Sequence, residues 1–325
     1  MGVKGYIDRF QQRRRRLAIT VATLRKFNED HTGDLAAMVA FWAFFSIFPL
    51  LLVFVTVLGY TVPADTKEDV LGKVSQLFPL LNPDEVGTLS GSLWPLLLGG
   101  ITALWSGTAV MRTAQSAFDA VWEIPEKDRA GLVRKVARSL LALFTIGAGL
   151  VAATLVSGVL TGKDVGLDLG VWGRVGGLAV TAVFDVLLFI AGFRLLTPRD
   201  VVTREVLPGA LLSGVAFFIL QQASSLIISR YLGSAESTYG SFATVITILW
   251  WFLLQAQITM LGAQLNVVLK DRLYPRSLFG GPTTPADHRA LRAYARQRTY
   301  HEQVDVEARF IPEPKPEERP PRPAR

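Results

Sequence analysis

Apolar and charged residues are separated into long blocks along this chain. Six stretches are almost free of Asp, Glu, Lys and Arg, and each is long enough for one helix across a bilayer, which takes about 20 residues. These stretches are residues 35–62, 86–111, 139–162, 175–193, 206–229 and 237–269. A soluble domain would instead show apolar residues that repeat with the period of a helix or a strand. The pattern therefore predicts an all-α, polytopic membrane protein, a bundle of six transmembrane helices.

The segments between these stretches differ in basic charge. Lys and Arg are dense before residue 35, between 112 and 138, between 194 and 204, and after 269, whereas the alternate connections hold few of them. Basic segments remain on the cytoplasmic side of a membrane. We therefore expect a multi-pass protein of the cytoplasmic (inner) membrane, with both termini in the cytoplasm and basic terminal segments that contact anionic membrane lipids.

The same pattern divides the chain into three parts. Residues 1–34 form a basic cytoplasmic segment, residues 35–269 the six-helix transmembrane domain, and residues 270–325 a cytoplasmic tail. The tail ends in FIPEPKPEERPPRPAR, which is rich in proline and charge, so we expect it to be largely disordered. Residues 65–81 and 111–124 place apolar side chains on one face and predict amphipathic connecting helices. Such helices cover the edge of a bundle, and the alternative is a gate or a partner site.

The first apolar stretch contains a helix-breaking residue near its middle. Pro49 cannot donate a backbone hydrogen bond, which costs about 3 kcal/mol in a soluble helix. In a membrane, neighbouring helices and hydroxyl groups can satisfy the freed carbonyls, and Ser46 stands three residues before the proline. We predict that Pro49 bends or locally unwinds the first span, with the concave side towards a polar or small-residue region of the bundle.

Polar side chains inside the apolar stretches are the candidate functional residues. Asp185 is the one acidic residue within a predicted span, and it lies near the middle of the fourth. An ionised carboxylate at that depth is costly, so we expect Asp185 to be protonated or to face a donor inside the bundle. The candidate donors are Gln221, Gln222, Gln255 and Gln257.

Four segments carry a resemblance to a known family. They are AAMVAFWAFFSIFPLLL, LWSGTAVMRTAQSAFDAVWEI, LLTPRDVVTREVLPGALLSG and STYGSFATVITILWWFLLQAQITMLGAQL, in that order over residues 34–269. Together they resemble the YihY/BrkB family of bacterial inner-membrane proteins. The resemblance implies a bundle of six spanning helices. It implies little chemistry, because the family has no settled activity; its older label was ribonuclease BN, and one branch is named for a role in serum resistance.

Two residues near the ends of predicted spans need separate interpretation. The family usually ends its last span with Gly, Ala and Glu, whereas this chain has Gln264 in place of the acid. A role of that acid in proton or cation handling therefore cannot be carried over, although a glutamine can bridge helices by hydrogen bonds. Arg112 directly follows the second span, where it either contacts phosphate headgroups or serves as an ordinary topology determinant.

Residue types typical of catalysis are not grouped in the sequence. The chain has no cysteine, its three histidines are isolated near the ends, and it lacks Walker and glycine-rich nucleotide motifs. We therefore expect no enzymatic activity, no metal site and no cofactor. The arginines at positions 13–16 lack interleaved aromatic residues, so we expect lipid and not nucleic acid as their partner.

Two functions fit these observations. The first is a transporter or exporter of a solute or lipid, linked to the integrity of the cell envelope, for which the polar residues at membrane depth are the evidence. The alternative is a non-transporting structural or scaffold protein of the envelope, whose glutamines join helices and whose partner is another copy of the chain or an envelope protein. We favour transport, and a flux assay in vesicles would separate the two.

Overall fold

The computed structural model describes residues 3–61, 93–161, 170–197, 201–239, 242–278 and 284–310. Within these ranges the chain forms nine α-helices and no β-strand. The helices are α1 (Val3–Arg13), α2 (Arg15–Glu29), α3 (Thr32–Thr61), α4 (Leu93–Val121), α5 (Leu132–Thr161), α6 (Gly170–Leu196), α7 (Thr203–Tyr239), α8 (Phe242–Lys270) and α9 (Pro285–Gln297). The prediction of an all-helical fold is confirmed.

Six long helices, α3 to α8, form a closed ring. Each packs against the next one in the chain, and α8 closes the ring by packing against α3. Helix α4 also contacts α6 and α8 across the ring. Each of the six helices overlaps one of the predicted apolar stretches.

Four of the ring helices are long and apolar enough to cross a membrane within the described residues. The qualifying segments are Thr32–Val53 in α3, Val175–Leu196 in α6, Thr203–Ala223 in α7 and Val245–Lys270 in α8. The chain is thus a membrane protein with four apolar helices of spanning length, and the finer prediction of six spans is not confirmed.

Helices α4 and α5 contain no qualifying segment within their described side chains. The predicted stretch 86–111 begins before the first described residue of α4, and the second half of α4 carries Arg112, Gln115 and Asp119. The uncharged part of α5, residues 139–161, includes residues whose side chains lie outside the described part of the chain. The predicted continuation of the second span as a helix is confirmed, because α4 extends to Val121. The predicted helix within residues 65–81 lies outside the described residues.

Large apolar side chains cover the outer surface of the ring. Phe41, Ile101, Phe144 and Val183 are all exposed, each on a different ring helix. A continuous apolar surface of this kind is unfavourable in water and matches the hydrocarbon of a bilayer.

The most completely buried side chains lie at one end of the ring, which we call the terminal end because α1, α2 and α9 pack there. Trp122, Phe118, Val267 and Leu273 belong to this buried core. Helix α2 packs directly on α8. The terminal end therefore has a buried protein interior, to which α2, α4 and α8 contribute.

The chain after Lys270 departs from the predicted disordered tail. Residues 285–297 form α9, which begins with a capping box between Thr284 and Asp287 and has a proline in its first turn. The composition of this region supplies few apolar side chains, and the helix is held instead by polar contacts to α2, which composition does not reveal. The proline-rich residues 311–325 lie outside the described residues.

Helix α3 continues through Pro49 without interruption, so the predicted local unwinding is not seen. The Ser46 hydroxyl donates to the carbonyl of Ala43 at 2.7 Å. It therefore does not bond the carbonyl of Phe45, which lies four residues before the proline and loses its partner there. Ser46 is buried and Pro49 half-buried.

Candidate functional site

Asp185 is buried in the ring, with only 3% of the residue exposed. It lies on α6, and the Gln221 side chain of α7 hydrogen-bonds its carboxyl group. The second carboxyl oxygen, Oδ2, has no hydrogen-bond partner among the described residues. Of the four glutamines considered as donors, Gln221 is the one that bonds this carboxyl within the described residues. One of the two carboxyl oxygens remains without a partner there.

Helices α6 and α7 approach closely one residue beyond Asp185. A methyl group at Gly214 of α7 would lie 2.8 Å from the Cα atom of Val186, closer than side-chain carbons approach. The absence of a side chain at Gly214 therefore allows the backbone of α7 to lie against α6, which brings Gln221, two turns further along α7, to the carboxyl of Asp185.

The other predicted candidates are dispersed. Gln222 is exposed, Gln255 and Gln257 are half-buried on α8, and none of their amide groups contacts Asp185 in the described part of the chain. Arg112 is half-buried on α4, and its Nε atom has no partner among the described residues. The structure thus does not assemble these residues with Asp185 into one site.

Gln264 joins a buried ionic cluster at the terminal end, which comprises Lys26, Asp30, Glu123 and Gln264. The Lys26 ammonium group is completely buried and lies 2.7 Å from Asp30 Oδ2 and 2.6 Å from Glu123 Oε1. The Gln264 amide donates to Asp30 Oδ2 and to the Thr32 hydroxyl, both at 2.7 Å. One ammonium group and one amide therefore link two carboxylates in the protein interior.

The members of the ionic cluster come from three separate parts of the chain. Lys26 and Asp30 stand one turn apart at the end of α2, and Gln264 projects from the last third of α8. Glu123 follows α4 with a left-handed backbone, at φ 53°, which ends the helix and redirects the chain. The cluster consequently ties α2, α4 and α8 together at one point.

A second group of charges fastens α9 to α2. Arg276 donates to Glu29 at 2.7 Å and to Asp287 at 3.0 Å, and its side chain is almost completely buried. Arg25 lies 2.8 Å from Glu29. The Tyr294 hydroxyl of α9 donates to Glu29 at 3.1 Å. Because Glu29 and Asp30 are adjacent, the two groups form one continuous polar layer.

Burial and ion pairing have opposite effects on the pKa values of the carboxyl groups in this layer. Burial raises the pKa of the Glu123 carboxyl above its ordinary value, and the ammonium of Lys26 offsets only part of that rise. Burial alone would raise the pKa of Glu29, but Arg276 and Arg25 bring it below its ordinary value. Burial likewise opposes the hydrogen bonds from Thr284 that lower the pKa of Asp287. Among the carboxyl groups of Glu29, Glu123 and Asp287, that of Glu123 therefore gains a proton most readily.

This difference predicts a pH effect on stability. A carboxyl whose pKa is raised on folding stabilises the folded state most at pH values below its ordinary pKa, and that contribution is lost as pH rises through the folded-state value. Between pH 8 and pH 5, we expect the thermal midpoint of the wild type in detergent to rise relative to that of Glu123→Gln. Parallel pH profiles of the two proteins would contradict this assignment.

Helices α7 and α8 meet at a contact between two glycines. A methyl group at Gly262 would lie 2.7 Å from the carbonyl oxygen of Gly209 and would overlap the Ser213 hydroxyl. The amide of Gly209, which follows Pro208, donates to Asn266 Oδ1 at 2.7 Å. A side chain of α8 thus satisfies a backbone donor in the first turns of α7 next to its proline.

The sequence did not reveal Lys26, Asp30 and Glu123 as site residues. The spacing of Lys26 and Asp30 is typical of a solvated pair on a helix surface, and Glu123 lies in a connection rich in charges. The available signal was Gln264, a polar residue in an apolar stretch that requires polar neighbours. Burial of the pair depends on contacts from α4 and α8, which are distant in sequence.

Comparison with known proteins places these features in a family. The family described as virulence factor BrkB matches residues 23–285. Among curated proteins, the chain is 27% identical to the Bacillus subtilis protein YfkH, which is named as ribonuclease-like, over 73% of this chain and 90% of YfkH. It is 26% identical to a UPF0761 membrane protein of Psychrobacter sp. over 77% of this chain. It is also 26% identical to one of Stenotrophomonas maltophilia over 80%.

The chain spans about half (48%) of the Psychrobacter protein and 63% of the Stenotrophomonas protein. No solved structure matches the chain. The match to the BrkB family covers the ring helices, the end of α2 that carries the ionic cluster, and the segment up to the start of α9. The chain therefore belongs to the BrkB family of membrane proteins.

Proposed function

We propose that this protein is a carrier or exporter of a solute or lipid in the cytoplasmic membrane, and that Asp185 contacts the transported species or a coupled proton. The observation that supports the proposal is the buried carboxyl of Asp185, which has one oxygen without a partner among the described residues. Acidic groups at membrane depth are rare because of their cost and commonly mark ion, proton or substrate pathways.

An interhelical link is the simpler role for the same residue. A carboxyl that only joins helices would be expected to use both oxygens, since an unpaired polar atom in a buried site costs about 1–3 kcal/mol. Asp185 uses its hydrogen bond with Gln221 and leaves Oδ2 available. A proton or a ligand would satisfy that oxygen, which favours a functional role over a purely structural one.

The charge distribution supports an orientation with the terminal end in the cytoplasm. The terminal end carries Arg13 to Arg16 of the N-terminal segment and the arginines of α9. Basic segments remain on the cytoplasmic side, which favours an orientation with both termini inside the cell. In this orientation the polar layer lies at the cytoplasmic ends of α4 and α8, and Asp185 lies deeper in the membrane.

The alternative function is a scaffold of the cell envelope, and the polar layer is the observation that favours it. The layer fixes α2, α4, α8 and α9 to one another through buried ion pairs. Such a fixed, folded terminal end could present a constant surface to a second copy of the chain or to an envelope protein. This role does not require Asp185 to exchange a proton.

Replacement of Asp185 by asparagine distinguishes the two functions in cells. Asparagine keeps the size and most of the hydrogen bonding but cannot exchange a proton. We expect Asp185→Asn to reach the membrane at wild-type levels and to fail to restore growth of a deletion strain under detergent stress. Asp34→Asn is the control, because that side chain is 87% exposed at the start of α3. Full restoration by Asp185→Asn would favour the scaffold.

A further inference from the structure

A cavity of about 600 Å³ lies at the terminal end, between α9 and the connection that follows α4. Its volume falls within the range of roughly 300–1,000 Å³ that is typical of small-molecule sites. One wall is formed by Glu123, Pro125 and Asp128, and the other by Arg289, Arg292 and Arg296 of α9. Asp185 does not line this cavity, and Glu123 is the member of the ionic cluster that does.

The three arginines share one face of α9, because they are spaced by three and four residues. Within the described residues, none of them forms an ion pair with a carboxylate. Arg289 donates to the backbone carbonyl of Arg272, and the guanidinium of Arg292 lies 5.4 Å from the centre of the Phe310 ring. Arg296 has no side-chain hydrogen bond to a described residue. Three positive charges therefore face one cavity, and guanidinium N–H groups remain available there to donate to a ligand.

The acidic residues of the opposite wall do not neutralise these arginines. The Glu123 carboxylate is engaged with Lys26 at 2.6 Å in the buried ionic cluster. Asp128 is exposed to solvent, where the attraction between charges is weak. The cavity therefore retains a positive character despite its mixed lining.

Both walls of the cavity are fixed before any ligand binds. Asp287 ties the start of α9 to Arg276, and Gln297 at its end donates to the carbonyl of Ala120 at 3.1 Å. The amide of Lys127 in the opposite wall donates to the carbonyl of Thr299 at 3.2 Å. Because the two walls are hydrogen-bonded to each other and to the core, the arginines are held in place. Little conformational entropy is therefore lost when a ligand binds.

From this geometry we propose that the cavity binds a phosphate-bearing ligand through Arg289, Arg292 and Arg296. Guanidinium groups bind phosphate oxygens by paired hydrogen bonds, and three on one helix face match a doubly charged phosphate better than a single carboxylate. The volume accommodates a phosphorylated metabolite or the headgroup of an anionic phospholipid. Both sources present phosphate oxygens, on a doubly charged monoester in the metabolite and on a singly charged diester in the lipid.

Binding to the purified full-length protein in neutral detergent tests the proposal. The probes are pyrophosphate for soluble phosphates, and short-chain phosphatidylglycerol against phosphatidylcholine for lipids, each followed by calorimetric titration. We expect Arg296→Gln to weaken binding about tenfold, and Arg292→Gln with Arg296→Gln about a hundredfold. Ala293→Trp, which fills the cavity without a change of charge, should abolish binding.

The control is Arg309→Gln, which removes an exposed arginine that does not line the cavity. Pyrophosphate binding that depends on Arg296 and Ala293 assigns a soluble phosphate. Binding of phosphatidylglycerol alone, with the same dependence, assigns a lipid headgroup. Absence of binding of both probes to the wild type, or equal loss in Arg296→Gln and Arg309→Gln, would overturn the proposal.

Discussion

Replacement of Lys26 by methionine is expected to destabilise the protein by about 3–5 kcal/mol, the usual cost of removing one partner from a buried ion pair. The ammonium group is completely buried and is 2.6–2.7 Å from two carboxylates that are themselves about 95% buried. Without it, Asp30 and Glu123 face each other as like charges in the interior. We expect a marked fall of the thermal midpoint in detergent and a reduced amount of protein in the membrane.

The pH dependence and a matched control make this result specific. Burial raises the pKa of Glu123, and its protonation removes the repulsion, so the deficit of Lys26→Met should shrink as pH falls. Glu123→Gln added to Lys26→Met should restore part of the stability, because it removes one of the two uncompensated charges. Lys127→Met is the control, since Lys127 is exposed in the 3₁₀ turn. Equal midpoints of Lys26→Met and Lys127→Met would contradict a structural role for the cluster.

Replacement of Gly262 by alanine is expected to separate α7 from α8. The added methyl group would meet the backbone carbonyl of Gly209, which cannot rotate away as a side chain could. Overpacking of this kind typically costs about 1–3 kcal/mol, and more where the obstacle is backbone. The shift would also weaken the hydrogen bond between the Gly209 amide and Asn266. We expect a lower thermal midpoint and faster proteolysis of the solubilised protein.

Gly100→Ala is the matched control for that experiment. Gly100 is also a glycine inside a ring helix, but an added methyl group there meets no atom within 4 Å. Alanine favours the helix over glycine by about 1 kcal/mol, so Gly100→Ala should be neutral or stabilising. If Gly262→Ala were as stable as Gly100→Ala, the close approach of α7 and α8 would have to be abandoned.

The helical architecture was largely predictable because membrane helices appear in the sequence as long uncharged stretches. Each ring helix overlaps one of the predicted uncharged stretches, and the helices pack around the ring in the order of those stretches along the chain. Asp185 was recognisable for the same reason, since a single acid stands out in an apolar block. Its neighbour Gln221 could be named only as one of four candidates, because the relative rotation of α6 and α7 depends on contacts such as that of Gly214 with Val186.

The terminal end was not predictable by the same means. Lys26, Glu123 and Arg276 look like solvated charges in sequence, and all three are at least 95% buried in the fold. Composition describes the average environment of a segment. Burial of these charges depends instead on contacts among three or four segments that are distant in sequence. The same limitation explains α9, whose helix is defined by the capping box and by ion pairs to α2 rather than by an apolar face.

The most direct test of transport is a flux measurement on purified protein in vesicles. The wild type, Asp185→Asn and Asp34→Asn would be reconstituted at equal density with an entrapped pH-sensitive dye. Proton movement would be followed after addition of a polar metabolite extract from the source cells, with a potassium gradient and valinomycin to set the potential.

Transport through Asp185 predicts extract-dependent proton movement with the wild type and Asp34→Asn, and movement at the level of protein-free vesicles with Asp185→Asn. Identical rates for the wild type and Asp185→Asn, both above those of protein-free vesicles, would contradict a role of Asp185 in coupling. Rates for all three proteins equal to those of protein-free vesicles would contradict proton-coupled transport of these solutes.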